Sequence, residues 1–177
     1  QMGFEDITID LIYGIPNLSN KEWEETVEQA LQLPINHLSA YSLTLELNTP
    51  YHKLVKQKKY IKPDEDISSQ HFKSLVRIIN EQGWEHYEVS NFAKPDHQSQ
   101  HNLAYWRGTD YVGVGPGAHG RITVDGVRHA TIAHMTPKAY TRAAGNSGTG
   151  INTREKLSPS EWASEYLLMG LRIQEGI

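Results

Sequence analysis

The sequence has 177 residues, 38% of them hydrophobic, which is enough to bury a core in one domain of ordinary size. Seventeen basic and 21 acidic side chains give a net charge of -4, and no basic stripe indicates a nucleic-acid-binding surface. A mean hydropathy of -0.56, without an apolar run of about twenty residues, predicts no membrane span. The sequence contains no cysteine, which excludes disulfides, cysteine zinc sites and cysteine-bound iron–sulfur clusters from this chain.

Strand and helix patterns alternate over the first half of the chain. An apolar, β-rich run covers residues 7–12. It is followed by a possible capping box, Ser19-x-x-Glu22, and by a helix that Pro34 ends. A second strand is predicted from Leu38 to Leu45. This order is typical of an α/β fold.

The pattern continues after a lysine-rich interruption. Residues 52–62 carry five lysines and little apolar content, which predicts a solvated excursion. A long helix is predicted from Asp64, with Gly83 as its left-handed cap, and a short strand from His86 to Ser90. The alternation implies parallel strands with right-handed crossovers. A complete barrel of this kind needs about 250 residues, so the fold class predicted here is α/β with part of a barrel.

The character of the sequence changes after residue 92. Residues 93–110 are polar and irregular and predict a loop, and Asp125-Gly126 predicts a two-residue type I′ hairpin turn. The other elements expected in this half are a strand at 111–114, a helix from Thr136 to Gly145, a loop at 145–153 and a last helix opened by Ser158-Pro159-x-Glu161.

Two motifs in this half of the chain match functional patterns but lack a feature that each function requires. Gly115-x-Gly117-x-x-Gly120 matches the dinucleotide-binding fingerprint, but a hairpin follows it where a helix is required. These glycines are better explained by close approach of backbone to a flat ligand or to another strand. His97 and His101 are four residues apart, but no further ligand is spaced to complete a zinc site.

Asp10 interrupts an apolar strand, where an unpaired carboxylate is costly. At the C-terminal end of a barrel strand it would contact a ligand. A strand-end aspartate bonded to loop backbone explains it equally well. Glu46 and Glu88, in or after the next two predicted strands, raise the same question.

The string His101-Asn102-Leu103-Ala104-Tyr105-Trp106 places an imidazole near two large aromatic side chains. Such a group suits a flat, partly apolar ligand. Ordinary packing in a loop explains the same residues, and composition alone favours packing.

Five segments, which follow one another along the chain in the order typical of the family, resemble the oxygen-independent coproporphyrinogen III oxidase-like family of radical SAM proteins. Four of them are residues 9–16 (IDLIYGIP), 37–44 (HLSAYSLT), 87–93 (YEVSNFA) and 113–120 (GVGPGAHG). The fifth, His101-Asn102-x-x-Tyr105-Trp106, resembles the haem-chaperone branch of that family. The resemblance is dense from about residue 5 to 122 and looser in the final helix.

The resemblance implies a radical SAM barrel that binds S-adenosylmethionine and a [4Fe–4S] cluster, followed by a small α+β C-terminal domain. We therefore expect the C-terminal half of the barrel at residues 1–92 and the C-terminal region at 93–177. The family's cluster motif, Cys-x-x-x-Cys-x-x-Cys, belongs to its N-terminal half. Because this chain has no cysteine, we expect it to be a fragment without that half, unable to ligate a cluster or to act by itself.

The resemblance also assigns residues to two ligands. Asp10, Thr44 and His119 match positions that approach S-adenosylmethionine, although the oxidase branch has other residue types at the last two. His101 matches the histidine associated with haem iron in the chaperone branch, and a neutral imidazole is a good axial ligand. Tyr105 and Trp106 would pack against the porphyrin.

These assignments predict a cytoplasmic haem chaperone that passes haem to apo-haemoproteins. The alternative within the family is an enzyme, the oxygen-independent oxidase that decarboxylates coproporphyrinogen III to protoporphyrinogen IX. A third possibility, from another class, is a structural piece that binds neither haem nor S-adenosylmethionine.

Overall fold

The computed structural model describes residues 3–177, so Gln1 and Met2, which open the predicted barrel half, lie outside the described residues. The chain divides into two compact units, the first ending at Gln98 and the second running from Ser99 to Ile177. The domain boundary predicted after residue 92 lies six residues earlier. Among the described residues, every helix is too short or too polar to cross a bilayer.

The first unit contains four strands and three helices. In chain order they are β1 (Thr8–Tyr13), α1 (Asn20–Leu31), β2 (His37–Ser42), α2 (Pro50–Lys56), α3 (Glu65–Glu81), β3 (Glu85–Glu88) and β4 (Asn91–Ala93). The predicted capping box forms, with Ser19 accepting from the Glu22 N–H and Glu22 bonding back to Ser19. The segment 52–62, predicted as a solvated excursion, starts within the short helix α2, which Thr49 caps, which has Pro50 as its first residue and which has no buried residues.

The sheet of this unit has the order β1-β2-β4-β3. β1 and β2 are parallel, as predicted, with Asp10 opposite Ser39. The prediction of parallel pairing throughout was wrong, because β4 turns back after β3 and inserts antiparallel to both β2 and β3. A tight turn at Val89 and Ser90 allows this, since it connects two strands too closely for a crossover helix.

One face of the sheet packs against α1 and α3. Trp23 and Val27 of α1 and Leu75 and Ile79 of α3 are almost fully buried against this face. The strand residues that share the core are Ile9, Leu11, Leu38, Ala40 and Phe92. Because side chains alternate along a strand, Asp10, His37, Ser39 and Asn91 lie on the opposite face. The core therefore decides which strand residues are available for function.

The second unit is an antiparallel sheet with three helices. Its elements are α4 (Gln100–Trp106), β5 (His119–Val124), β6 (Val127–Ala133), α5 (Pro137–Ser147), β7 (Ile151–Lys156) and α6 (Pro159–Gly170), with sheet order β5-β6-β7. The hairpin turn forms as predicted, because Asp125 and Gly126 both adopt positive φ, at 50° and 73°. The second capping box also forms, between Ser158 and Glu161.

Three predictions for this unit were wrong. The irregular loop at 93–110 contains the helix α4, which Ser99 caps through the N–H of Asn102. The strand expected at 111–114 is only a single bridge from Tyr111 to Arg121. The loop at 145–153 is shorter than expected, since α5 continues to Ser147 and β7 begins at Ile151.

Candidate functional site

The sheet face opposite the core carries Asp10 in an exposed position. Asp10 is the third of six residues in β1, so its predicted place at a strand end was wrong. It reaches an open surface because Ile9, Leu11 and Tyr13 take the core-facing positions of the alternating strand. An exposed carboxylate here can accept hydrogen bonds from a ligand's hydroxyl or ammonium group.

A buried polar cluster shares this face with Asp10. His37 Nε2 and the Tyr87 hydroxyl form a 2.7 Å hydrogen bond, and the Asn91 amide donates to the Glu88 carboxylate. All four side chains are at least nine-tenths buried. Burial lowers the pKa of His37, and the negative charge of Asp10 partly opposes this. The imidazole is therefore kept neutral in a polar environment.

The cluster is incompletely paired among the residues described. His37 Nδ1 and Asn91 Oδ1 are buried and have no hydrogen-bond partner there. Buried polar atoms are normally satisfied, and unpaired ones are costly. The sequence did not single out His37, Tyr87 or Asn91 as site residues. Polar side chains at alternating positions of β2 could have indicated them.

The turn after β1 is held in place from the core. Gly14 adopts a φ of +73°, and its N–H donates to Nδ1 of the buried His71 at 3.2 Å. The His71 ring stacks on Trp23 with 5.8 Å between ring centroids, and Trp23 Nε1 donates to the His71 carbonyl. Burial lowers the pKa of His71, so Nδ1 can accept the Gly14 hydrogen bond.

Thr44 lies in the loop that follows β2, where it is exposed and its hydroxyl donates to Glu46 at 3.3 Å. It lines a cavity with about 600 Å³ of empty space, including the opening to solvent. Ser42, Lys62 and Ser68 contribute polar groups to the same cavity. The hydroxyls can donate or accept, and the lysine can only donate.

In the second unit, α4 aligns an imidazole with two tyrosine rings. His101 is exposed, and its ring centroid lies 4.6 Å from that of Tyr105, which follows one helical turn later. Tyr105 in turn lies 4.4 Å from Tyr111, also edge to face. We call His101, Tyr105 and Tyr111 the aromatic row. Sequence reasoning missed Tyr111, because its position depends on a bridge to Arg121, ten residues further along the chain, which the local pattern does not indicate.

Trp106 lies elsewhere on the helix. It is five residues from His101, or about 140° around α4, and the Arg172 guanidinium stacks over its ring at 5.1 Å. Its Nε1 is buried without a partner in the described part of the chain. Trp106 therefore lies on a different side of α4 from His101 and contacts Arg172 near the C-terminus, and its predicted contact with the porphyrin stays a prediction.

His119 is the first residue of β5 and is exposed. The preceding glycines make close backbone approaches, because a Cβ at Gly113 would lie 2.3 Å from the His119 carbonyl oxygen. Gly120 lies inside β5, where the fingerprint requires a helix to begin, so a dinucleotide-binding turn does not form. His119 belongs to the second unit, whereas Asp10 and Thr44 belong to the first.

His97 does not contribute to a metal site with His101. Its Nδ1 contacts the Asp6 carboxylate at 2.7 Å. A hydrogen bond from Asn36, which has the larger effect, and one from His97 lower the pKa of Asp6. Within residues 3–177, no group of three or more histidine, aspartate or glutamate side chains could hold a metal ion. His97 lies in the first unit, whereas the exposed His101 lies in the second.

The chain is similar to known proteins in sequence and in fold, although no protein-family model matches it. The chain is 36% identical over 175 residues to the mitochondrial radical S-adenosyl methionine domain-containing protein 1 of Danio rerio, covering 97% of this chain and 39% of that protein. It is 34% identical over 175 residues to the heme chaperone HemW of Lactococcus lactis, covering 99% of this chain and 45% of that protein.

Among solved structures, the fold matches the coproporphyrinogen III oxidase HemN of Escherichia coli, a radical SAM enzyme, with a TM-score of 0.71. The match covers 97% of this chain and 41% of that chain at 18% identity, so it concerns the fold alone.

Radical S-adenosyl methionine domain-containing proteins and HemW heme chaperones are homologues of this chain over nearly its whole length, and its fold matches that of a radical SAM enzyme. The chain spans 39% to 45% of the length of the two curated relatives described above.

Proposed function

We propose that the whole protein is a haem chaperone that binds haem through His101 and passes it to apo-haemoproteins. The observation that carries this proposal is the aromatic row, in which an exposed imidazole lies beside the rings of Tyr105 and Tyr111. A neutral imidazole is a suitable axial ligand for haem iron, and aromatic rings provide apolar contact area for a porphyrin. The similarity to proteins named heme chaperone supports the same reading.

In this proposal, the first unit contributes residues that bind S-adenosylmethionine. We assign residues 1–92 to the C-terminal half of a radical SAM barrel and residues 93–177 to a C-terminal region. The exposed carboxylate of Asp10 and the hydroxyl of Thr44 suit the polar groups of S-adenosylmethionine, which include hydroxyls and an ammonium. His119 is the third proposed contact.

A [4Fe–4S] cluster does not fit the donor set of this chain. Such clusters are held by cysteine thiolates, and none of the 177 residues is a cysteine. The cluster implied by the family therefore requires ligands outside this sequence. We further propose a cytoplasmic location, which is inferred from the family and not from the fold.

Haem binding is tested by titrating the full-length protein with haemin while the Soret band is recorded. We expect saturable binding in the wild type and a loss of about tenfold or more in affinity in His101→Ala, because the axial ligand is removed. His97→Ala is a matched control, since it removes another exposed histidine four residues earlier. Saturable binding that is unchanged in His101→Ala would remove this residue from the proposal.

The alternative function is oxygen-independent oxidative decarboxylation of coproporphyrinogen III. The observation that favours it is the similarity of the fold to HemN. An anaerobic assay of the full-length protein with coproporphyrinogen III and S-adenosylmethionine tests it. Formation of protoporphyrinogen IX, without saturable haemin binding, would replace the chaperone proposal with the enzyme. If the full-length protein binds neither haem nor S-adenosylmethionine, the chain has a structural role.

A further inference from the structure

A cavity in the second unit lies next to the aromatic row. Its volume is about 30 Å³, far below the range of about 300–1,000 Å³ for sites that hold a whole small molecule. This size suits a polar substituent of a ligand better than a whole macrocycle. The residues lining it that bear on its chemistry are Tyr105, Tyr111, Arg121, Arg128, Trp162 and Glu165.

Arg128 provides an unused hydrogen-bond donor at this cavity. The residue is 5% exposed, and its Nη1 donates to Asp110 at 2.9 Å and its Nη2 to the Thr109 carbonyl at 3.2 Å. Its Nε is buried and has no acceptor among residues 3–177. A buried guanidinium donor without an acceptor is costly, so the site is incomplete by one acceptor atom.

The side chains around Arg128 indicate which kind of ligand atom would pair with its Nε. The Trp162 ring lies 5.9 Å from the guanidinium carbon and helps to hold the side chain in place. Arg121 is already engaged by Glu165, with contacts of 2.7 and 3.0 Å, and is not free for a ligand. The charge of Arg128 is already balanced by Asp110, so the missing partner is a hydrogen-bond acceptor. An apolar group would leave Nε unpaired, whereas a carboxylate oxygen is the acceptor that forms the strongest hydrogen bond with a guanidinium.

We propose that this cavity binds a carboxylate through Arg128, and that the carboxylate is a propionate of the haem bound at His101. Tyr105 lines the cavity and also contacts His101, with 4.6 Å between ring centroids, so one ligand can extend from the imidazole to the cavity. The propionates lie at the edge of the porphyrin, whereas the iron lies at its centre. This inference rests on the proposed haem binding and adds how the ligand is oriented.

The test compares haemin with haemin dimethyl ester, in which both carboxylates are blocked. Both are titrated into the full-length wild-type protein and into Arg128→Lys, which keeps the charge but removes Nε. We expect the wild type to prefer haemin by about tenfold to a hundredfold, the usual range for a charged hydrogen bond. Arg128→Lys should lose most of this preference while the Soret band keeps its position. The exposed Arg154→Lys is the matched control.

The outcomes separate this inference from the proposed function. Equal affinity of the wild type for haemin and its ester, with binding that still depends on His101, would overturn the carboxylate site alone. Equal weakening of both ligands in Arg128→Lys would show that Arg128 acts only through the fold. Absence of saturable binding by either ligand would overturn both. The wild-type comparison needs no variant, so it stands even if Arg128→Lys folds poorly.

Discussion

Replacement of Gly14 by alanine should destabilise the first unit through two separable effects. The φ of +73° is unfavourable for a residue with a Cβ, at a cost of about 1–2 kcal/mol. The new Cβ would also lie 2.3 Å from Ser68 Oγ and 3.2 Å from Ser68 Cβ. Relief of such a clash costs about 1–3 kcal/mol, because Ser68 Oγ donates to the Asp64 carbonyl and would have to give up that bond. The expected total is about 2–5 kcal/mol.

Gly83→Ala isolates the effect of the clash. Gly83 has the same φ of +73°, but a Cβ there would meet no atom within 4 Å. Urea unfolding, followed by tryptophan fluorescence, to which the buried Trp23 and Trp84 of the first unit contribute, should give a free-energy loss of only about 1–2 kcal/mol for this control. Equal losses for Gly14→Ala and Gly83→Ala would refute the contact between Gly14 and Ser68 as a source of instability.

Two further predictions concern charge. Burial lowers the pKa of both His71 and His37, so the unfolded chain binds protons first as the pH falls below about 6.5. The free energy of unfolding should therefore decrease from pH 7 to 5.5 and stay constant above pH 7.5. His71→Gln should reduce the slope of the urea unfolding midpoint against pH. An unchanged slope would contradict a neutral, buried His71. In the full-length protein, Asp10→Asn should weaken S-adenosylmethionine binding about tenfold by calorimetry, whereas the exposed Asp66→Asn should not; unchanged affinity in Asp10→Asn would remove Asp10 from the site.

Elements specified by neighbouring residues were predictable from the sequence. Both capping boxes form as expected, because Ser and Glu three residues apart satisfy N–H groups within one helical turn. The turn at Asp125-Gly126 forms because these residues tolerate positive φ. Gly83, expected to cap α3, has positive φ for the same reason.

Elements that depend on distant partners were not predictable in the same way. The antiparallel insertion of β4 follows from a tight turn and from its pairing with β2, which is more than 45 residues away in sequence. The helix α4 arises in a polar stretch that composition assigns to a loop. For the candidate sites, the sequence named His101, Tyr105 and Asp10 as individual candidates, and only the structure shows which side chains surround them.

The sequence by itself determined the α/β character of the first unit, the absence of cluster ligands and the local caps and turns. Each of these depends on residue type or on neighbours within a few positions. Only the tertiary structure brought Tyr111 beside Tyr105, separated Trp106 from His101, and buried Arg128 with an unpaired Nε. Those arrangements are set by packing between elements far apart in the chain, and local sequence patterns carry no direct information about them.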